Sequence, residues 1–144
     1  MAIHIENARP EDKPAVIALL RQGQLLTDDL PTDLSDFLIA KEQNKVVGVA
    51  GIERFGAIGL LRSVAVDPDF QGRQIGSQLI GRLLDTASAR ELADVYLITT
   101  TAEQYFGRHG FLPVDRLDAP LAIQATSQFS GLCPASAVVM KRML

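Results

Sequence analysis

An alternation of apolar and polar positions reaches Val66 and stops at Asp67-Pro68, and after the glycine-bearing turn Gln71-Gly72-Arg73-Gln74 the period changes. From Ile75 onward, Leu79, Ile80, Leu83, Leu84 and Ala87 fall on one helical stripe, so the segment predicts strand, turn and amphipathic helix. Earlier in the chain, alternating stretches at Asp36 to Ala40 and Lys45 to Arg54 flank the turn residues Gln43-Asn44 and predict a hairpin. The least regular region is Asp115 to Ser136. It holds Arg116, Pro120, an Ala/Ile/Ala/Thr stretch with the composition of a helical turn, and Phe129 to Pro134, and it leads into a last strand expected at Ala135 to Met140.

The central strand, turn and helix have a chemical consequence. A turn that opens straight into a helix leaves the first backbone N–H groups without intrahelical partners, at the positive end of the helix dipole. Gly72 and Gly76 remove side chains where a ligand must approach the backbone, which makes the segment a candidate cradle for the phosphates of a cofactor. The same pattern also occurs as plain scaffolding. It is not a P-loop, because no lysine precedes Ser77, and it lacks the three glycines of a dinucleotide fingerprint.

Composition narrows the class. A chain of 144 residues with 47% hydrophobic content fits one domain with its own core. The net charge of −3, with basic residues scattered along the chain, argues against a nucleic-acid partner. No apolar run has the length of a membrane span, and Met1-Ala2-Ile3-His4 has neither the charged nor the apolar region of a signal peptide, so a cytoplasmic location without membrane attachment is expected. Cys133 is the only cysteine, which excludes an intrachain disulfide and a thiolate cluster. With only His4 and His109 besides, no metal is expected; His109, ahead of Gly110, reads as a surface or capping residue.

The wording of the central segment, Val64-Ala65-Val66-Asp67-Pro68 followed by Gln71-Gly72-Arg73-Gln74-Ile75-Gly76, resembles motif A of the GNAT N-acetyltransferases. That resemblance implies that acetyl-CoA is the co-substrate, with its pyrophosphate held by Gln71, Gly72, Arg73, Gln74, Ile75, Gly76 and Ser77 and with Val64, Ala65 and Val66 also on the cofactor side. It extends over nearly the whole chain. Ile3 to Ala8, then Pro10-Glu11-Asp12 with Val16, Ile17, Leu19 and Leu20, look like the opening strand and helix of the family; Asp94 to Thr100 is a further strand, Thr101 to His109 a short helix and Gly110-Phe111 its exit. The implied fold is α/β (α+β), a mixed central sheet of six to seven strands flanked by helices, with residues 1–144 forming a single N-acetyltransferase domain.

Two departures stand out. Gln74 occupies a position where the family usually has glycine, although its backbone N–H can still face a phosphate. Family members often carry Asn-x-x-Ala-x-x-x-Tyr-x-x-x-Gly-Phe, whose tyrosine protonates the departing CoA thiolate; here the aligned residues are Thr99, Ala102, Phe106, Gly110 and Phe111. Phe106 cannot donate a proton, so the acid is either Tyr105, about 100° away around the helix, or solvent. Phe106 is also a candidate cofactor-binding residue by that resemblance, and the alternative for both aromatics, the more so for Phe106, is plain packing of the short helix on the sheet.

Further wording, Leu61 to Val66, Thr99 to Glu103, Ala122-Ile123, Ala125-Thr126, Phe129 and Leu132 to Ala137, is similar to the arsenic-resistance N-acetyltransferases. This implies a small-molecule amine acceptor, with glutamate mimics such as arsinothricin or phosphinothricin as candidates, and it leaves a homodimer open.

In the expected direct transfer a neutral amine attacks the thioester carbonyl, so a base must take the amine proton, and Glu53 is the candidate base or water-holder. Its alternative is a solvated strand-end charge. By period-two alternation Arg62 shares a strand face with Val64 and Val66, where its planar fork suits an anionic group of the acceptor or, alternatively, an internal ion pair with Glu53 or an aspartate. Ser63, Thr100 and Cys133 complete the candidate acceptor residues. Two other functions fit the altered signature: an acetyl-CoA sensor that transfers nothing, and a protein or peptide acetyltransferase.

Overall fold

Seven strands in one mixed sheet carry the chain, in the spatial order β1-β2-β3-β4-β5-β7-β6. The strands are β1 (Ile3–Asn7), β2 (Phe37–Glu42), β3 (Lys45–Phe55), β4 (Ile58–Val66), β5 (Asp94–Thr99), β6 (Leu112–Val114) and β7 (Val138–Met143). The helices are α1 (Lys13–Gln22), α2 (Ile75–Ala89), α3 (Glu103–Gly107), α4 (Leu121–Gln124) and α5 (Ser127–Gly131). The computed structural model describes residues 3–25, 27–31, 34–131 and 137–144. β4 and β5 run parallel, with Ile58 opposite Asp94 and Leu60 opposite Tyr96, whereas β1/β2, β2/β3, β5/β7 and β6/β7 are antiparallel. Two compact units divide the chain: Met1–Ile52 with Ser63–Thr86, and Glu53–Arg62 with Ala87–Leu144.

The first unit is organised by the hairpin read from the sequence. Gln43 takes the left-handed backbone of its turn (φ 55°), and Glu42 pairs with Lys45 across it. Val16, Leu19 and Leu20 of α1 meet Phe37, Ile39 and Val49 of the hairpin in a fully buried cluster, as the apolar series of the helix predicts. Two glycines of β3 make this packing possible. A methyl group at Gly48 would sit 3.0 Å from Ile75 Cγ2 and 3.2 Å from Leu79 Cδ1, so the absence of a side chain lets the start of α2 lie on the strand. At Gly51 the same methyl would fall 2.5 Å from the Phe37 ring, which covers the glycine. The predicted stripe of α2 is buried throughout, from Ile75 and Leu79 to Ala87.

The second unit packs Leu60, Tyr96, Ala119, Ile123 and Val139 around Phe55, Ile58 and Phe129. Most element ends shift by one or two residues from the sequence reading, and the larger differences have local causes. The helix expected over 101–109 is only Glu103–Gly107, because the Thr99 Oγ1 accepts the Ala102 N–H (3.1 Å) and holds the entry as a turn, the first helical bond running from the Phe106 N–H to the Ala102 carbonyl (3.0 Å). Of the last strand expected at Ala135–Met140, Ala135 and Ser136 lie outside the described residues; the strand is Val138–Met143, its register set by pairing of Met140 with Leu97 and Val138 with Thr99. β6, three residues centred on Pro113, gives no sequence signal of its own and exists through its pairing with β7.

Candidate active site

In the first unit, the candidate phosphate cradle runs from the end of β4 to the first turn of α2. Asp67 closes the strand: its N–H donates to the Val47 carbonyl (2.8 Å), and its Oδ1 accepts the Asp69 N–H (2.9 Å) and so caps the 3₁₀ turn Pro68–Phe70. The Gln71 Nε2 reaches back to the Val66 carbonyl (3.4 Å). Gly72 then takes φ 81° with nothing within 4 Å of the position a side chain would fill, so the backbone is open to a ligand there. Gln74 is left-handed too (φ 59°) and exposed, and its carbonyl accepts the Gln78 N–H (3.1 Å) as the first helical bond of α2. The amides of residues 75–77 therefore precede that bond, and no acidic residue stands in the first turn of α2 to compete for its positive end.

The cation content of this turn was only partly legible in the sequence. Lys45, distant along the chain, sits 3.6 Å from Asp67 Oδ2 and 5.8 Å from the Phe70 ring centre, which Arg73 also approaches at 5.0 Å. Two basic side chains thus lie against the Phe70 ring, one of them paired with Asp67. Because the left-handed backbone costs a residue with a side chain about 1 kcal/mol, Gln74→Gly is expected to raise the unfolding free energy by roughly 0.5–1 kcal/mol in urea titration, Gly72 and Gly76 being unaltered.

Ser63 carries a second left-handed backbone (φ 59°), this time inside β4. Strict alternation therefore does not continue from Arg62 to Val64 and Val66, and the shared face inferred from period two is corrected: Arg62 is buried, while Val64, Ala65 and Val66 are half-buried.

In the second unit, Arg62 meets Glu53. The Arg62 Nη1 donates to the Glu53 Oε1 in an ion pair, with the arginine side chain 1% exposed and the glutamate 26% exposed. The partner kept open in the sequence reading is thus Glu53. Burial runs one way through the pair: the guanidinium is the enclosed anchor and the carboxylate is the end that faces outward. Thr100 is exposed just beyond β5, and Cys133 lies outside the described residues.

Tyr105 and Phe106 part company on α3. Phe106 is buried and meets Phe111 edge-on at 6.2 Å, the packing role that its apolar ring permits. Tyr105 is half-buried, with its ring edge-on to Phe106 (5.2 Å) and His109 (5.1 Å) and the Arg108 guanidinium 5.8 Å from its centre. His109, expected as a surface or capping residue before Gly110, stands at the exit of α3, where its N–H donates to the Phe106 carbonyl (2.9 Å). It is half-buried, and its carbonyl accepts the Arg142 Nη1 of β7 at 2.7 Å. Burial, reinforced by the Arg108 and Arg142 charges, holds its imidazole below the ordinary value of 6.5. Among the described residues no group of three potential metal ligands occurs.

Comparison with known proteins places this geometry. The profile of the acetyltransferase (GNAT) domain matches residues 33–113. An amino-acid acetyltransferase of Mycobacterium tuberculosis is 31% identical over 77% of this chain and 69% of its own length, and one of Escherichia coli is 28% identical over 79% of this chain but only 28% of its own length. N-acetylglutamate synthase from Neisseria gonorrhoeae, solved with coenzyme A and N-acetyl-glutamate, shares the fold with a TM-score of 0.86 at 20% identity, over 100% of this chain and 35% of that one. A Mycobacterium tuberculosis protein solved with CoA gives 0.81 at 24% identity, over 98% of this chain and 99% of that one.

Proposed function

The chain belongs to the acetyltransferase (GNAT) family, an enzyme class with acetyl-CoA as co-substrate, and on that premise we propose that it moves the acetyl group to the α-amino group of a free amino acid. The observation that carries the amino-acid part is the 31% identity to an amino-acid acetyltransferase over 69% of that relative's length. Glutamate is the first acceptor to consider, since the gonococcal neighbour was solved with N-acetyl-glutamate. Arsinothricin and phosphinothricin, which carry arsenic or phosphorus acid groups on a glutamate-like skeleton, are the narrower reading drawn from the wording of Leu61 to Val66 and of Leu132 to Ala137.

In this reading the turn from Gln71 to Ser77 takes the pyrophosphate, with the open backbone of Gly72 and the positive end of α2 as the attractive elements. The fit rests on the chemistry present: backbone donors ahead of Gln78, Arg73 and Lys45 nearby and no competing carboxylate in the first turn. The half-exposed Glu53 carboxylate, braced by buried Arg62, takes the proton of the attacking amine directly or through water. As the N–C bond forms and the C–S bond breaks, Tyr105 supplies the proton that the thiolate needs, Phe106 having no group to do so.

Release of CoA thiol from acetyl-CoA, measured with a panel of the twenty amino acids, phosphinothricin, arsinothricin and a lysine-containing peptide, tests the reading. Turnover is expected with glutamate or its mimics and is expected to be absent with the peptide. Turnover with the peptide alone would make the protein a peptide acetyltransferase, and tight acetyl-CoA binding without turnover would make it a sensor.

A further inference from the structure

We propose that His109 is a positioning residue for Tyr105, held in place by Arg142, and that together they form a brace running from β7 to the tyrosine ring. The inference rests on the assignment of Tyr105 as the proton donor to the thiolate, and it explains how a tyrosine displaced by one residue from its usual place can be held in one orientation.

Helix α3 has five residues, too few to be stable or rigid by itself. A ring on such a helix needs outside support. Phe106 contributes one edge contact and is itself fixed by burial against Phe111. The other edge contact comes from His109, whose ring centre lies 5.1 Å from that of Tyr105 at 61°. His109 is in turn fixed at both ends of its backbone: its N–H donates to the Phe106 carbonyl (2.9 Å), and its carbonyl accepts the Arg142 Nη1 (2.7 Å). Arg142 reaches it by lying along Gly110, which is left-handed (φ 87°) and would place a methyl group 3.4 Å from the Arg142 Cδ and Nε. Arg142 belongs to β7, where it pairs with Val95 of β5. The chain of contacts therefore ends in the sheet.

The charged groups acting on His109 are Arg108, from its own segment, and Arg142, from β7, and both are cations. Protonating the imidazole would add a third positive charge among them. The native form therefore resists the proton more than the unfolded chain does, so this site's stability is complete above pH 6.5 and declines as the pH falls below it. Loosening of the brace on the acid side follows.

The test compares kcat at saturating acetyl-CoA, with L-glutamate or the best acceptor of the panel, across pH 5 to 9. His109→Ala is expected to lower kcat about 10-fold at pH 8, the size of effect given by a misplaced reacting group, with the Michaelis constant for acetyl-CoA unchanged. His109→Phe, which keeps an edge-on ring and removes the titration, is expected to stay within about two-fold of the parent and to lose the parent's fall below pH 6.5. Tyr105→Phe is expected to cost about 10-fold or more, and His109→Ala added to it should cost nothing further. Should His109→Ala fail to fold, Arg142→Met, which frees the carbonyl while leaving both rings, is expected to show the same loss in kcat alone.

The outcomes separate cleanly. If Tyr105→Phe is costly but neither His109→Ala nor Arg142→Met changes kcat, the brace is refuted and the acid assignment stands. If Tyr105→Phe leaves kcat within about two-fold, the acid assignment fails and the brace fails with it. An equal loss from His109→Ala with and without Tyr105 reduces His109 to a structural residue and also overturns the proposal.

Discussion

Gly76→Glu is expected to abolish acetyl-CoA binding, read by calorimetry as a loss of at least about 100-fold in affinity. Gly76 is buried in the first turn of α2, and its amide is the middle one of the three that precede the Gln78 bond. A carboxylate there would oppose phosphates held on this turn twice over, by its bulk and by its charge, and it would neutralise the positive end of α2, whose first turn has no acidic side chain. Gly76→Ala adds bulk without charge and should give a smaller loss, so the pair of variants separates the two contributions. Circular dichroism checks that each is folded. Unchanged affinity in a folded Gly76→Glu protein would move the cofactor away from this turn.

The second large effect belongs to Glu53. Glutamine has the same shape and keeps an oxygen for the Arg62 Nη1 to donate to, so Glu53→Gln preserves the anchor while removing the group proposed to take the amine proton. A fall in kcat of about 100-fold is expected, within the usual range for a lost general base, with the Michaelis constant for acetyl-CoA nearly unchanged. Stopped assays at saturating acceptor suffice. If kcat stays within about two-fold, solvent deprotonates the amine and the Glu53–Arg62 pair serves the fold alone.

What the sequence made legible was local. The stripe of α2, the hairpin around Gln43-Asn44 and the glycines of the phosphate turn each announce themselves within a window of about ten residues, because helical and strand periods repeat over that length. Ser63 escaped that logic. A left-handed residue inside a strand leaves no compositional mark when it is a serine, yet it ends the alternation from which the face of Arg62 was inferred. Gln74 was flagged only because glycine was expected there. The partner of Arg62 was open until the fold brought Glu53 across from the neighbouring strand, since a charge pair nine residues apart carries no periodicity. His109 was legible as a residue at a helix exit, but its contacts with Tyr105 and with Arg142, 33 residues away, were not, since nothing in Gly107 to Phe111 foretells either. β6 was invisible because three residues around a proline do not resemble a strand until β7 lies beside them.

That last strand has a bearing on solubility. β6 is the terminal strand of the sheet, and a terminal strand offers its unpaired edge to any other extended chain. At its centre stands Pro113, which has no N–H to offer, and the strand ends after three residues. A second chain could find no continuous ladder to extend. Leu112, 69% exposed, gives this rim the stickiness that elsewhere invites amyloid-like stacking, and the proline beside it works as a gatekeeper. Replacing Pro113 by valine is accordingly expected to restore a donor to this rim and to raise aggregation of the concentrated protein, read by light scattering.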